Sequence, residues 1–256
     1  MSEARMPLTA HLEELRRRII YCAYAVGAGF IVCYFFKEKL FEILMLPLLQ
    51  VLPKDHPSGL IYTAPHEAFM TYLKVSFLAG TGLAVPVILF QVWRFIAPGL
   101  YDEEKRYFIP VVLLSSFFFL GGALFGYFVV FPFGFQFFVS FATDFISPMI
   151  STKEYLSFAS RLLFAFGFIF ELPIFAFFLA RLGILHSSFL RRQRKYAILV
   201  IFIVAAFLTP PDVFTQMLMA GPLLILYELS VIVVRVFERK PKTFEDVEEE
   251  EPGAAS

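Results

Sequence analysis

Long uncharged stretches constrain this chain more than any other feature. Ile19–Phe36 runs 18 residues without a charge, and Val75–Trp93 runs 19. Tyr107–Thr143 runs 37, more than one crossing of a bilayer needs, with Pro132 as its natural break. Leu162–Ala180 holds 19 residues and one acid, Glu171. Tyr196–Pro211 runs 16, and Val213–Val234 runs 22 with Glu228 as its one charge. A hydrocarbon core about 30 Å thick takes roughly 20 residues of helix. Backbone groups in lipid must pair internally, so such segments are helices. The alternation of a membrane β-barrel is absent.

Composition excludes the other classes. Of 256 residues, 59% are hydrophobic, 35 are Phe, and only 17% are charged. A soluble domain of this size has too little interior to hide that much apolar side chain. The net charge of +0 supplies no field for a nucleic acid. The expectation is an all-α integral membrane protein forming one domain over residues 1–238. Its six transmembrane helices are expected at about 19–36, 75–93, 109–131, 162–180, 196–209 and 213–234. The polar tail over 239–256, ending VEEEEPGAAS, reads as disordered.

Orientation follows from Lys and Arg, which favour cytoplasmic loops. Segments 1–18, 91–108, 181–195 and 235–256 hold 16 of them, whereas 37–66, 132–157 and 209–213 hold 4. Both termini are therefore expected in the cytoplasm, with Lys74 and Arg161 snorkelling from span edges. Arg16, Arg17 and Arg18 precede an apolar run too long for a secretory signal and without a cleavage site, so the first span is expected to be retained. Cys22 and Cys33 lie eleven residues apart. That is about 16 Å of helix, beyond disulfide reach, so both read as buried thiols.

The outer connections are more than tethers. Lys37–Leu49 mixes Leu40, Ile43, Leu44 and Pro47 with four charges, which suits a helix in the interface. Phe133–Phe145 is Phe-rich with Gln136, Ser140 and Asp144, and is expected to lie flat beside it.

Four places carry polar groups that call for a role. In PLTAHLEELRRRII, Leu8, Leu12, Leu15 and Ile19 form an apolar stripe, and Glu13–Arg17 and Glu14–Arg18 are pairs four apart. Either these charges neutralise one another, or one carboxylate receives a cation from outside. In FIAPGLYDEEKRY, Asp102, Glu103 and Glu104 either complement the dipole of the next helix or form a second cation receptor. Glu171, followed by Pro173, sits inside a span, where an ionised carboxylate costs roughly 2.5–3.5 kcal/mol on insertion scales. In LTPPDVFTQ, two prolines reverse the chain between two short spans. Thr209, Asp212 and Gln216 there are polar hooks for another helix. Phosphate-loop, zinc-protease and hydrolase-elbow motifs are absent, and His11, His56, His66 and His186 are scattered, so neither a cofactor nor a metal is expected, nor an enzyme.

These motifs together resemble the TatC family, the polytopic receptor subunit of the twin-arginine protein translocase. The resemblance covers about residues 7–238 and rests on HLEELRRR, Pro47, VPVILFQVWRFIAPGLY with EEKR, YFVVFPFGF, FGFIFELPI and LTPPDVFTQ. It implies six helices in a cupped bundle with both ends cytoplasmic. It also implies binding of signal peptides bearing two consecutive arginines, with Glu14 and Glu104 as the key carboxylates and Arg16 in the same motif. Glu103, an extra acid in this loop, shares that place. The intramembrane acid of the family falls on Glu171, and its contact cluster for single-span partners falls on Thr209 and Gln216. The implied partners are folded cargo with such signals, TatA- and TatB-type subunits, lipid, and further copies in a larger complex, with the proton-motive force as the energy source. A proton-coupled small-solute transporter, resting on Glu171, is the competing reading.

Overall fold

The computed structural model describes residues 8–52, 60–96, 108–143, 149–209 and 212–238. They form α1 (Leu8–Phe35), α2 (Lys37–Leu49), α3 (Glu67–Ile96), α4 (Phe108–Phe125), a π-turn (Gly126–Val130), α5 (Phe131–Val139), α6 (Thr152–Phe170), α7 (Leu172–Arg181), α8 (Ser187–Arg192), α9 (Arg194–Leu208) and α10 (Val213–Phe237). Among the described residues there is no strand, and Ile61 and Ser151 form an isolated bridge. The all-α membrane class is therefore met. Large apolar side chains point outward at the periphery, Phe35 at 80% and Phe207 at 79% exposure among them. Lipid, unlike water, imposes no penalty on such a surface.

Five helical stretches are long and apolar enough to cross a membrane: Thr9–Phe35, Glu67–Ile96, Ile109–Val139, Thr152–Arg181 and Val213–Phe237. The remaining expected segment, 196–209, is helical as α9, whose 15 residues reach about 22 Å, short of the hydrocarbon thickness. The first two helices begin earlier than the spans expected at 19 and 75, and two further boundaries differ for identifiable reasons. The chain does not break at Pro132, because the wide π-turn before it accommodates the proline at the first turn of α5, and one helix continues to Val139. The stretch expected to start at 162 begins at Thr152, because the polar turn TKEYLSF buries Tyr155 and Leu156 in the core.

Packing runs α1 on α3, α3 on α4, α4 on α6, and α10 on both α7 and α9. The main core joins Leu48 of α2, Val75 of α3, Phe131, Phe166 of α6, Ala205 of α9 and Met219 of α10. Pro47 has no N–H to offer the Ile43 carbonyl one turn back. The Tyr127 hydroxyl donates to that carbonyl instead, and Tyr155 donates to the neighbouring Leu44 carbonyl. The carbonyl that Pro47 leaves free thus ties α2 to the π-turn, and Tyr155 adds a second tie to α6.

Two helix crossings are closed by glycine. A Cβ on Gly80 would lie 2.5 Å from the Phe30 backbone nitrogen and 2.7 Å from the Gly29 carbonyl carbon. A Cβ on Gly122 would lie 2.8 Å from Phe170 Cβ. Small residues permit this backbone approach, and in lipid close packing replaces the hydrophobic drive.

Candidate functional site

The paired spacing in HLEELRRR is realised once. Arg18 Nη2 donates to Glu14 Oε1 at 2.7 Å, while Glu13 and Arg17 form no ion pair among the described residues. Helix α1 crosses α3 closely enough for Arg18 Nη1 to donate also to Gln91 Oε1 at 3.1 Å. His11 stacks on Phe95 with centroids 4.4 Å apart, which presses the first turns of α1 against the last turns of α3. Arg18 is only 7% exposed, and its Nε is buried without a partner. Glu14 stays partly accessible, and its Oε2 has no partner among the described residues. Arg16 points into solvent. The site is a carboxylate fixed by one internal guanidinium, with an oxygen left to accept from a second. Gln91 was not singled out in the sequence, since nothing local marks a contact 73 residues from Arg18. Glu103 and Glu104 lie outside the described residues.

Glu171 sits at the joint between α6 and α7, where Pro173 opens the second segment. Because the helix starts at Thr152, the acid lies two-thirds along it rather than at its centre. It is 1% exposed, and neither carboxyl oxygen has a hydrogen-bond partner among the described residues. The Ser115 hydroxyl lies beside it without hydrogen-bond geometry, and accepts from Trp93 Nε1 at 3.0 Å. Trp93 is itself packed on Phe175 and Phe178. The carboxyl therefore faces protein, not lipid, in a pocket with one weak polar neighbour.

The third cluster closes on itself. Thr209 Oγ1 donates to the Ala205 carbonyl at 2.9 Å, and Gln216 Nε2 donates to the Phe202 carbonyl at 3.0 Å. Asp212 caps α10 by accepting from the Thr215 N–H at 2.7 Å. Gln216 Oε1 has no partner among the described residues. At the other end of this hairpin Arg194 meets Glu228 at 2.7 Å. Just beyond α10, Glu238 accepts from the N–H and hydroxyl of Ser187. That N–H is the main reason its carboxyl lies below the usual carboxylate range.

Residues 10–222 match the family model for the Sec-independent protein translocase protein, TatC. The chain belongs to the TatC family. It is 53% identical over 244 residues to the Sec-independent protein translocase protein TatC of Desulforapulum autotrophicum, covering 95% of this chain and 90% of that one. It is 42% identical to the TatC of Aquifex aeolicus, covering 93% and 98%. The fold superposes on a solved structure described as the twin arginine translocase receptor TatC, with a TM-score of 0.80 and 41% identity, over 90% of this chain and all of that one. The protein is thus a multi-pass membrane component of the twin-arginine translocase system, and TatC proteins are translocase subunits rather than catalysts.

Proposed function

We propose that this TatC protein is the receptor that binds signal peptides carrying two consecutive arginines and nucleates assembly for export of folded cargo. The observation that carries this reading is Glu14, a fixed carboxylate with a free oxygen at the end of α1. Guanidinium is always charged and presents a planar fork that a carboxylate accepts bidentately, which a lysine cannot reproduce. Two separate acids, Glu14 and Glu104 with Glu103 beside it, then account for a demand for two arginines. Arg16, exposed in the same turn, stands ready for polar backbone or side-chain groups of the peptide. Nothing in the sequence provides a nucleotide site, in keeping with transport driven by the proton-motive force. Single-span partners of the TatA and TatB type would dock on the α9–α10 hairpin, where Gln216 retains an acceptor and two short helices leave lipid poorly matched.

Photo-crosslinkers at residues 14 and 104 are expected to capture a twin-arginine signal, and one at 216 a partner helix. Capture of lipid alone from 14 and 104 would remove the receptor reading.

The orientation belongs to the same proposal: six crossings in a bacterial inner membrane, one domain over 1–238, both termini and the tail in the cytoplasm. It rests on the distribution of basic residues, 16 against 4. Single cysteines at 5, 188 and 245 are expected to resist an impermeant external thiol reagent, and one at 55 to react. The reversed pattern would contradict it.

Glu171 is proposed to supply a polar contact during transport. Glu171→Gln keeps hydrogen bonding and removes titration, whereas Glu171→Ala removes both. Transport is expected to survive the first and fall about tenfold in the second, with signal binding intact in both. Loss of transport in both would point to proton exchange, and wild-type transport by the Ala variant would make the residue structural.

A further inference from the structure

Lys74 of α3 and Arg161 of α6 are exposed basic residues, each standing at the edge of a long uncharged stretch. Lys74 lies seven residues into α3 and Arg161 nine into α6, about 10 and 13 Å along their axes. Neither forms an ion pair among the described residues. Both line one cavity of about 680 Å³ between α1, α3 and α6, together with Ser157 and Ser160. Arg161 Nε donates to the Ser157 carbonyl at 3.2 Å, which holds the side chain down and leaves both terminal nitrogens uncommitted. The nearest acid along α3, Glu67, is already taken by the N–H and hydroxyl of Thr63. Basic side chains at a span edge snorkel to the level of the lipid headgroups, where a phosphate is within their reach.

A second cavity, about 430 Å³, adjoins the first. Leu78 and Phe164 line both. Among its lining side chains the one polar atom is the Tyr127 hydroxyl, which is spent on the Ile43 carbonyl. A doubly cationic pocket with two hydroxyls thus lies beside an almost entirely apolar slot, with Leu78 and Phe164 common to both. An inorganic anion would use the first and leave the second empty; a peptide would bring backbone amides into a slot that offers them nothing. We propose that Lys74 and Arg161 hold the phosphate of an anionic phospholipid whose acyl chain lies in the cavity along Leu78, Ala79 and Phe164. Its leaflet, the outer one, rests on the orientation proposed above; the site itself does not.

The test is native mass spectrometry of the full chain in detergent with palmitoyl-oleoyl phosphatidylglycerol. Wild type is expected to retain this lipid in preference to phosphatidylcholine. The Lys74→Gln, Arg161→Gln double variant is expected to lose retention by about tenfold or more, because two charge-assisted hydrogen bonds go with it. Arg235→Gln, at the far end of α10, should retain it as wild type does. A Cβ at Gly82 would meet nothing within 4 Å. Gly82→Phe adds a ring to the lining of the apolar cavity from a Cβ position that is free, and should weaken retention several-fold while leaving thermal stability in place. Equal retention by the double variant and wild type would overturn the proposal. So would displacement by inorganic phosphate combined with equal binding of dihexanoyl phosphatidylglycerol, which would make it a free-anion site. Detergent has no leaflets, so a reversed orientation in the cysteine experiment and a failed lipid site are separate results.

Discussion

Gly80→Ala is expected to lower the thermal stability of the protein by about 5–10 °C, while Gly82→Ala on the same helix is neutral or stabilising. The two positions differ in one respect. A Cβ at Gly80 would press into the Gly29–Phe30 backbone, whereas one at Gly82 would enter open space. Backbone cannot move aside as a flexible side chain can, so α1 must shift away from α3. Overpacking of this kind costs about 1–3 kcal/mol. Exposed-helix propensity acts in the other direction, since Ala is favoured over Gly by about 1 kcal/mol; only steric conflict can make one substitution harmful and the other not. The consequence extends to function. Arg18 reaches Gln91 across the same α1–α3 contact that this crossing helps to close. Gly80→Ala should therefore weaken signal binding as well as stability, measured by melting in detergent alongside peptide binding. Equal melting temperatures for the two variants would show that the crossing tolerates a methyl group.

Much of this arrangement is legible in the chain. Uncharged length alone gives the membrane class and the approximate position of every long helix, because lipid leaves the backbone one local solution. The Glu14–Arg18 pair is legible too, since residues four apart on a helix must be neighbours. What escapes is what depends on distant segments. Nothing beside Gly29 says that Gly80 will meet it, and nothing beside Arg18 points to Gln91. Pro132 reads as a break, since the π-turn that absorbs it has no local signature of its own. Glu171 reads as central, because the polar turn that starts its helix at Thr152 resembles a loop until Tyr155 and Leu156 find the core. Glu103 and Glu104, the acids that the resemblance pairs with Glu14, lie outside the described residues, so their geometry adds nothing to the sequence reading.

Combined loss of the two proposed receptor acids should abolish recognition of a twin-arginine signal. Glu14 offers one unengaged oxygen beside an internal guanidinium, so an incoming arginine must share the carboxylate with Arg18 or take it over. Removing the carboxylate deletes a charge-assisted hydrogen bond worth about 1.5–3 kcal/mol, roughly tenfold to 150-fold in affinity. Glu14→Gln keeps the side-chain volume and an acceptor but cannot pair a second cation. Glu104→Lys adds repulsion to the loss, and its effect should be larger. Glu103→Gln tests whether the neighbouring acid carries part of the load. Insertion and folding should survive, since none of these changes touches the glycine crossings or the aromatic core. The competing possibility is that Glu14 only anchors Arg18 and holds α1 to α3. A purely structural carboxylate would affect peptides with paired arginines and paired lysines alike.

The most direct measurement is therefore the affinity of purified protein in nanodiscs for one signal peptide in two forms, with an arginine pair and with a lysine pair. Wild type is predicted to prefer the arginine form by at least about tenfold, and Glu14→Gln with Glu104→Gln to bind both forms weakly and equally. A preference for arginine that survives in the double variant would contradict the assignment of the receptor site to these carboxylates.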